Sequence, residues 1–192
     1  MNDQPLSGRR ILTFVGETYE DLELWYPKLR LMEAGAEVVV AGEKARHKYA
    51  GKNGYPCVSD AAIAEMNAAD FTGVVVPGGF MPDKLRRDPK VQQFVRSFFE
   101  EGKPVGAICH GPWTLIDAGV VKGRKVTSYE TIQTDLENAG ATWVDQEVVV
   151  DNGLVTSRKP DDLPAFNRKL IEEIAEGRHA SRAMAGASTS TK

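Results

Sequence analysis

The feature that most constrains this chain is a short stretch, VGAICHGPW over 105–113. Its first four residues are apolar or small throughout, the pattern of a central strand buried on both faces of a parallel sheet. The strand runs into Cys109, and Gly111 with Pro112 then opens a helix. Ala107 and Gly111 stand two residues either side of the cysteine. A sharp strand-to-helix turn requires that small-x-nucleophile-x-small spacing, because larger flanking side chains would collide. Such a turn lifts the sulfur above the carboxyl edge of the sheet and aims it at a helix N-terminus. The dipole and free N–H groups there predict a lowered thiol pKa. A core cysteine that merely ends a strand is the alternative, and the CHGP run fits it poorly.

Around this stretch, short apolar runs alternate with helical patterns. Strands are expected at 10–15, 37–41, 72–77, 105–108 and 125–128. The apolar runs 147–150 and 154–157 flank an Asp-Asn-Gly turn, which predicts a hairpin. Helices are expected over 20–34, 59–66, 88–101, 112–118, 131–138 and 163–175, with Ser59 and Asp60 as caps for the second. In the first helix, Leu22, Tyr26 and Leu29 at helical spacing predict the core face, with Trp25 and Met32 alongside; Pro27 bends this helix or sits near its first turn. Residues 43–57 are polar and suit either a loop or a hairpin. The whole is a doubly wound α/β sandwich, with sites at the carboxyl ends of the strands. One domain over 10–176 is expected, with an extension over 1–9 and a small, polar, disordered tail over 177–192.

At 192 residues the chain can bury a full core without metals or disulfides. A net charge of −3 and the lack of basic runs argue against nucleic-acid or membrane partners. Two cysteines, Cys57 and Cys109, make no disulfide framework and point to a reducing compartment. With no apolar signal core in the first ten residues and no membrane-spanning run, a cytoplasmic location is expected. His47 and Cys57 are too isolated to suggest zinc, and no phosphate loop is visible, so no metal or cofactor is expected.

Three strands end in chemically suggestive residues that this fold gathers on one edge. Gly78 and Gly79 follow the third strand; their amides, with that of His110, are candidates for an oxyanion hole. His110 could swing beside the sulfur as a proton-transfer partner, or point away to solvent. Glu20 suits a first-turn carboxylate favoured by the helix dipole. Glu23 sits deeper, and burial beside a thiolate predicts a raised pKa and a hydrogen bond to sulfur or to an oxygen added to it.

In the segments EDLELWYP (20–27), VPGG (76–79), AICHGP (107–112), TSY (127–129) and TSRKPDDL (156–163), the chain resembles the ThiJ/PfpI superfamily, and within it the intracellular protease I-like general stress proteins. The likeness covers residues 10–175. It implies a flavodoxin-like sandwich related to class I glutamine amidotransferases, assembled as a homodimer or larger homo-oligomer. It also implies that Cys109 is an easily oxidised nucleophile, His110 its partner and Glu23 the buried carboxyl in contact with it. Tyr129 matches a tyrosine of the family's pocket. Asp83 stands where the family places a glutamate that reaches the histidine of a neighbouring subunit, and its shorter side chain puts a trans triad in doubt. Cys57 matches nothing functional and reads as a buried filler. The resemblance implies chemistry on small carbonyls or early glycation adducts, of the glyoxalase or deglycase type. A redox-responsive stress protein and a cysteine peptidase are the alternatives. A glutamine amidotransferase is disfavoured, since no His-x-Glu pair follows the elbow.

Overall fold

A computed structural model describes residues 4–179. In chain order the strands are β1 (Arg10–Phe14), β2 (Glu37–Gly42), β3 (Lys48–Ala50), β4 (Pro56–Val58), β5 (Ala61–Ala62), β6 (Gly73–Val76), β7 (Val105–Ile108), β8 (Lys125–Val126), β9 (Thr142–Trp143), β10 (Val149–Asp151) and β11 (Leu154–Ser157). The helices are α1 (Asp21–Glu33), α2 (Met81–Leu85), α3 (Pro89–Glu100), α4 (Pro112–Asp117), α5 (Gln133–Asn138) and α6 (Leu163–Glu176). Seven strands form the central sheet in the order β10-β11-β7-β6-β1-β2-β5. All neighbours in it are parallel except the β10–β11 hairpin.

The period of two along each strand divides the core into layers. From β1 and β6, Ile11 and Val75 join Leu31 of α1 and Phe166, Leu170 and Ile174 of α6. Leu12, Phe14, Val74 and Val76 turn to the opposite face, where they meet Phe94 and Phe98 of α3 and Leu115 of α4. Strands buried on both faces explain the unbroken apolar runs. Cys57 is buried in the second layer, as its filler role predicts.

Several local expectations are corrected. Along α1, Leu22, Leu29 and Met32 face outward at 57%, 55% and 48% exposure. The inward face is Glu23, Leu24, Pro27 and Leu31 instead. A carboxyl and a proline in the buried stripe hid the true face, and the helix runs through Pro27. Ser59 and Asp60 cap no helix: Ser59 Oγ donates to the Lys44 carbonyl, and Asp60 accepts from the Val40 N–H. The chain there adds β5 to the sheet and continues as a 3-10 turn, Ile63–Glu65. The open stretch 43–57 contains an antiparallel hairpin, β3–β4. The strand expected over 125–128 is only β8, paired with β9 outside the main sheet, and the 131–138 helix begins as a 3-10 turn.

The ends pack more closely than expected. Leu6 is fully buried in the core layer that includes Leu31 of α1 and Phe166 of α6, and it donates its N–H to the Ala34 carbonyl. At the other end, the His179 N–H donates to the Gly102 carbonyl at 2.8 Å; the rest of the tail, 180–192, lies outside the described residues. Among the described residues no helix is long and apolar enough to cross a membrane.

Candidate active site

Cys109 leaves β7 with φ +62°, a left-handed conformation costly for a residue with a Cβ. The turn is held on three sides. The Cys109 N–H donates to the Ser157 carbonyl, its own carbonyl accepts from the Tyr129 N–H, and Gly111 N–H closes back on Ile108. A Cβ on Gly111 would lie 2.5 Å from the Val76 carbonyl oxygen, so only glycine lets the turn approach β6. This is the sharp strand-to-helix elbow that the spacing predicts.

His110 does swing to the sulfur: its Nδ1 lies 3.2 Å from Sγ. Its Nε2 lies 3.2 Å from Thr131 Oγ1. The ring stacks on Tyr129 at 5.2 Å between centroids and tilts against Trp113 at 4.9 Å. Burial first, and the Lys52 charge second, lower the His110 pKa below its usual value, so the imidazole is neutral at physiological pH. Assigning the single ring proton to Nε2, donated to Thr131, leaves Nδ1 to accept from the thiol.

The other side of the sulfur is built from Glu23 and the glycine loop. Glu23 is completely buried, and its Oε2 accepts from the Gly78 N–H at 2.8 Å. Gly78 is wedged between them: a Cβ there would lie 2.5 Å from Glu23 Oε2, 2.6 Å from Cys109 Cβ and 3.0 Å from Sγ. The Gly78 amide is therefore engaged by Glu23, not held open for an oxyanion as expected. The amides of Gly79 and His110 face the sulfur instead. Burial, and then the Glu20 carboxylate, push the Glu23 pKa up to about 8, while among the described residues Oε1 has no hydrogen-bond partner.

The thiol pKa also moves opposite to expectation. Burial and the Glu23 carboxylate push it up, and the Gly79 and His110 amides only partly offset them. The elbow is 7% exposed, and loss of water outweighs the donors at the helix start. At neutral pH the proton thus sits on sulfur, with a neutral imidazole as its acceptor.

The expected residues Cys109, His110, Glu23, Gly79 and Tyr129 converge. Asp83 does not: it is exposed in the first turn of α2, and among the described residues it makes no hydrogen bond with His110. Thr131 and Lys52 were not foreseen, because a threonine at a helix start and a lysine in a polar stretch carry no distinctive sequence signal. A cavity of about 520 Å³ lies beyond Met81 and Leu85, without Cys109 in its lining. Another, of about 270 Å³, lies beyond Tyr129, walled by Trp143, Arg158 and Lys159. Among the described residues, three potential metal ligands gather only at Glu173, Glu176 and His179, at the end of α6. There Glu173 and His179 already pair at 3.2 Å.

A mostly parallel α/β sheet with a left-handed cysteine at a strand–helix turn, between a histidine and a buried glutamate, defines an α/β protein with a cysteine elbow. More particularly, the chain belongs to the DJ-1/PfpI family, whose model matches residues 9–173. It is 45% identical over 163 residues to Deglycase PfpI of Pyrococcus furiosus, covering 85% of this chain and 98% of that protein. To General stress protein 18 of Bacillus subtilis it is 46% identical over 166 residues, covering 85% and 96%. The crystal structure of Drosophila melanogaster DJ-1beta superposes with a TM-score of 0.81 at 30% identity, covering 87% of this chain and 90% of that one.

Proposed function

We propose that this chain is a cysteine-dependent enzyme acting on small carbonyls or early glycation adducts. The observation that carries this is the thiol of Cys109, held in a strained elbow 3.2 Å from a neutral imidazole. Relatives at similar identity are named as deglycases. As sulfur adds to an aldehyde carbon, its proton passes to His110 Nδ1. The carbonyl oxygen takes negative charge beside the Gly79 and His110 amides, then recovers the proton to give a hemithioacetal. For a 2-oxoaldehyde the overall change is addition of one water to give a 2-hydroxy acid, with no external oxidant or reductant. Tyr129, stacked on His110, walls the substrate side.

A homodimer or larger homo-oligomer is supported by the outward apolar stripe of Leu22, Leu29 and Met32. A peptidase is less favoured, since the resemblance asks for a glutamate from a neighbouring subunit and this chain offers the shorter Asp83 there. A redox-responsive role is the second reading. Its support is Glu23: protonated, and with no partner for Oε1 among the described residues, it is placed to donate a hydrogen bond to an oxygen added to sulfur.

The test is methylglyoxal consumption with lactate measured as product, for wild type and Cys109→Ser. Turnover that disappears with the sulfur is expected. No turnover from folded wild type, its Cys109 shown reduced by intact mass, would overturn the carbonyl reading. An added mass of two oxygens on Cys109 under dilute peroxide, weakened in Glu23→Leu, would then favour the redox role.

A further inference from the structure

Residues 51–55, in the β3–β4 loop, are fastened to the Cys109 site through α1. The Asp21 carboxylate accepts the N–H groups of Asn53 and Tyr55, both at 2.9 Å. A Cβ on Gly51 would overlap that carboxylate. Tyr19 Oη donates to the Tyr55 carbonyl at 2.6 Å, and the Lys52 N–H donates to the Tyr19 carbonyl at 2.8 Å. Residues 18–20 pair on their other side with the glycine loop, the Glu20 N–H donating to the Gly78 carbonyl and the Phe80 N–H to the Thr18 carbonyl. Tyr19 thus bridges Gly51 and Gly79.

This clamp brings the Lys52 ammonium to a buried acid. Lys52 Nζ lies 3.9 Å from Glu20 Oε1, and Glu20 is 3% exposed. The other oxygen of Glu20 accepts from the Glu23 N–H at 2.8 Å. Glu23 in turn holds Gly78, which packs on Cys109. Contacts therefore run without a break from Lys52 to the sulfur. Two buried carboxyl groups one helical turn apart are costly unless a cation faces them. Among the described residues, the charged and titratable groups facing Glu23 are Glu20 from the start of α1, Lys52 from the loop and Cys109 from the elbow, and His110 faces the Cys109 sulfur at 3.2 Å.

We propose that Lys52 is a positioning residue of the Cys109 site, acting through Glu20 to balance the charge of the cluster and hold Glu23 against the Gly78 amide. This rests on the reading of Cys109 as the reactive thiol. The directions of titration agree: Glu20 raises Glu23, and Lys52 lowers both Glu23 and His110. With the ammonium gone, the Glu20 charge stands unopposed and thiolate formation requires higher pH.

The experiment is the rate of iodoacetamide alkylation at the Cys109 peptide as a function of pH. It needs no turnover, so its failure is separate from failure of the carbonyl assay. Lys52→Met should move the profile upward by about half a pH unit or more. Lys52→Arg, which keeps the charge, should superpose on wild type. Glu20→Gln should move the profile downward, and Lys52→Met should shift that variant less than half as far as it shifts wild type. A Lys52→Met profile that superposes on wild type, an arginine variant that behaves like methionine, or an unmoved Glu20→Gln profile would each overturn the proposal.

Discussion

The buried carboxyl of Glu23 should leave a measurable mark on folding. Its ordinary pKa of 4.5 is pushed up to about 8, first by burial and then by Glu20. Between those values the unfolded chain has lost the proton and the folded chain keeps it. The folded state binds more protons, so stability falls as pH rises, by about 1.4 kcal/mol per pH unit. The contribution is fully present below pH 4.5 and is lost as pH rises through about 8. Across the window the change amounts to about 5 kcal/mol, a large share of a domain's net stability. Glu23→Gln removes the titration while keeping an oxygen for the Gly78 N–H. Urea unfolding of both proteins from pH 5 to 9, with reductant present, isolates the residue as the wild-type-minus-variant difference. That difference should fall by several kcal/mol with rising pH. A difference flat to within about 0.5 kcal/mol would refute the claim that the folded state holds this proton.

Other predictions concern the neighbours of Glu23 and the packing of α1. Gly78→Ala forces a Cβ to 2.5 Å from Glu23 Oε2 and should cost about 1–3 kcal/mol in urea unfolding while slowing Cys109 alkylation. Thr131→Val removes the partner of His110 Nε2, so kcat/KM for the carbonyl reaction should drop about three- to tenfold, with Thr131→Ser near wild type. Leu31→Ala should cost about 2–5 kcal/mol in urea unfolding, because Leu31 is fully buried in the single chain.

The elbow was legible because its needs are local. A buried strand, small flanking residues and a proline at the helix start all lie within a few positions of Cys109, and each answers to backbone geometry. The swing of His110 to the sulfur depended on the same turn. The core face of α1 was misread because periodicity counts apolar residues, and there the inward positions include Glu23 and Pro27. The thiol pKa was misread because proximity to a helix start is visible in sequence, whereas the loss of water is not.

By itself, then, the sequence determined the alternating α/β architecture, the parallel central strands and the place of the cysteine at their carboxyl edge. Those features follow from hydrophobic period and local sterics, which act over neighbouring residues. Only the tertiary structure decided that the Gly78 amide serves Glu23, that Thr131 orients His110, and that Lys52 reaches Glu20 from a polar loop. Each of these joins groups more than 20 positions apart, where hydrogen-bond direction and burial, not pattern, select the partner.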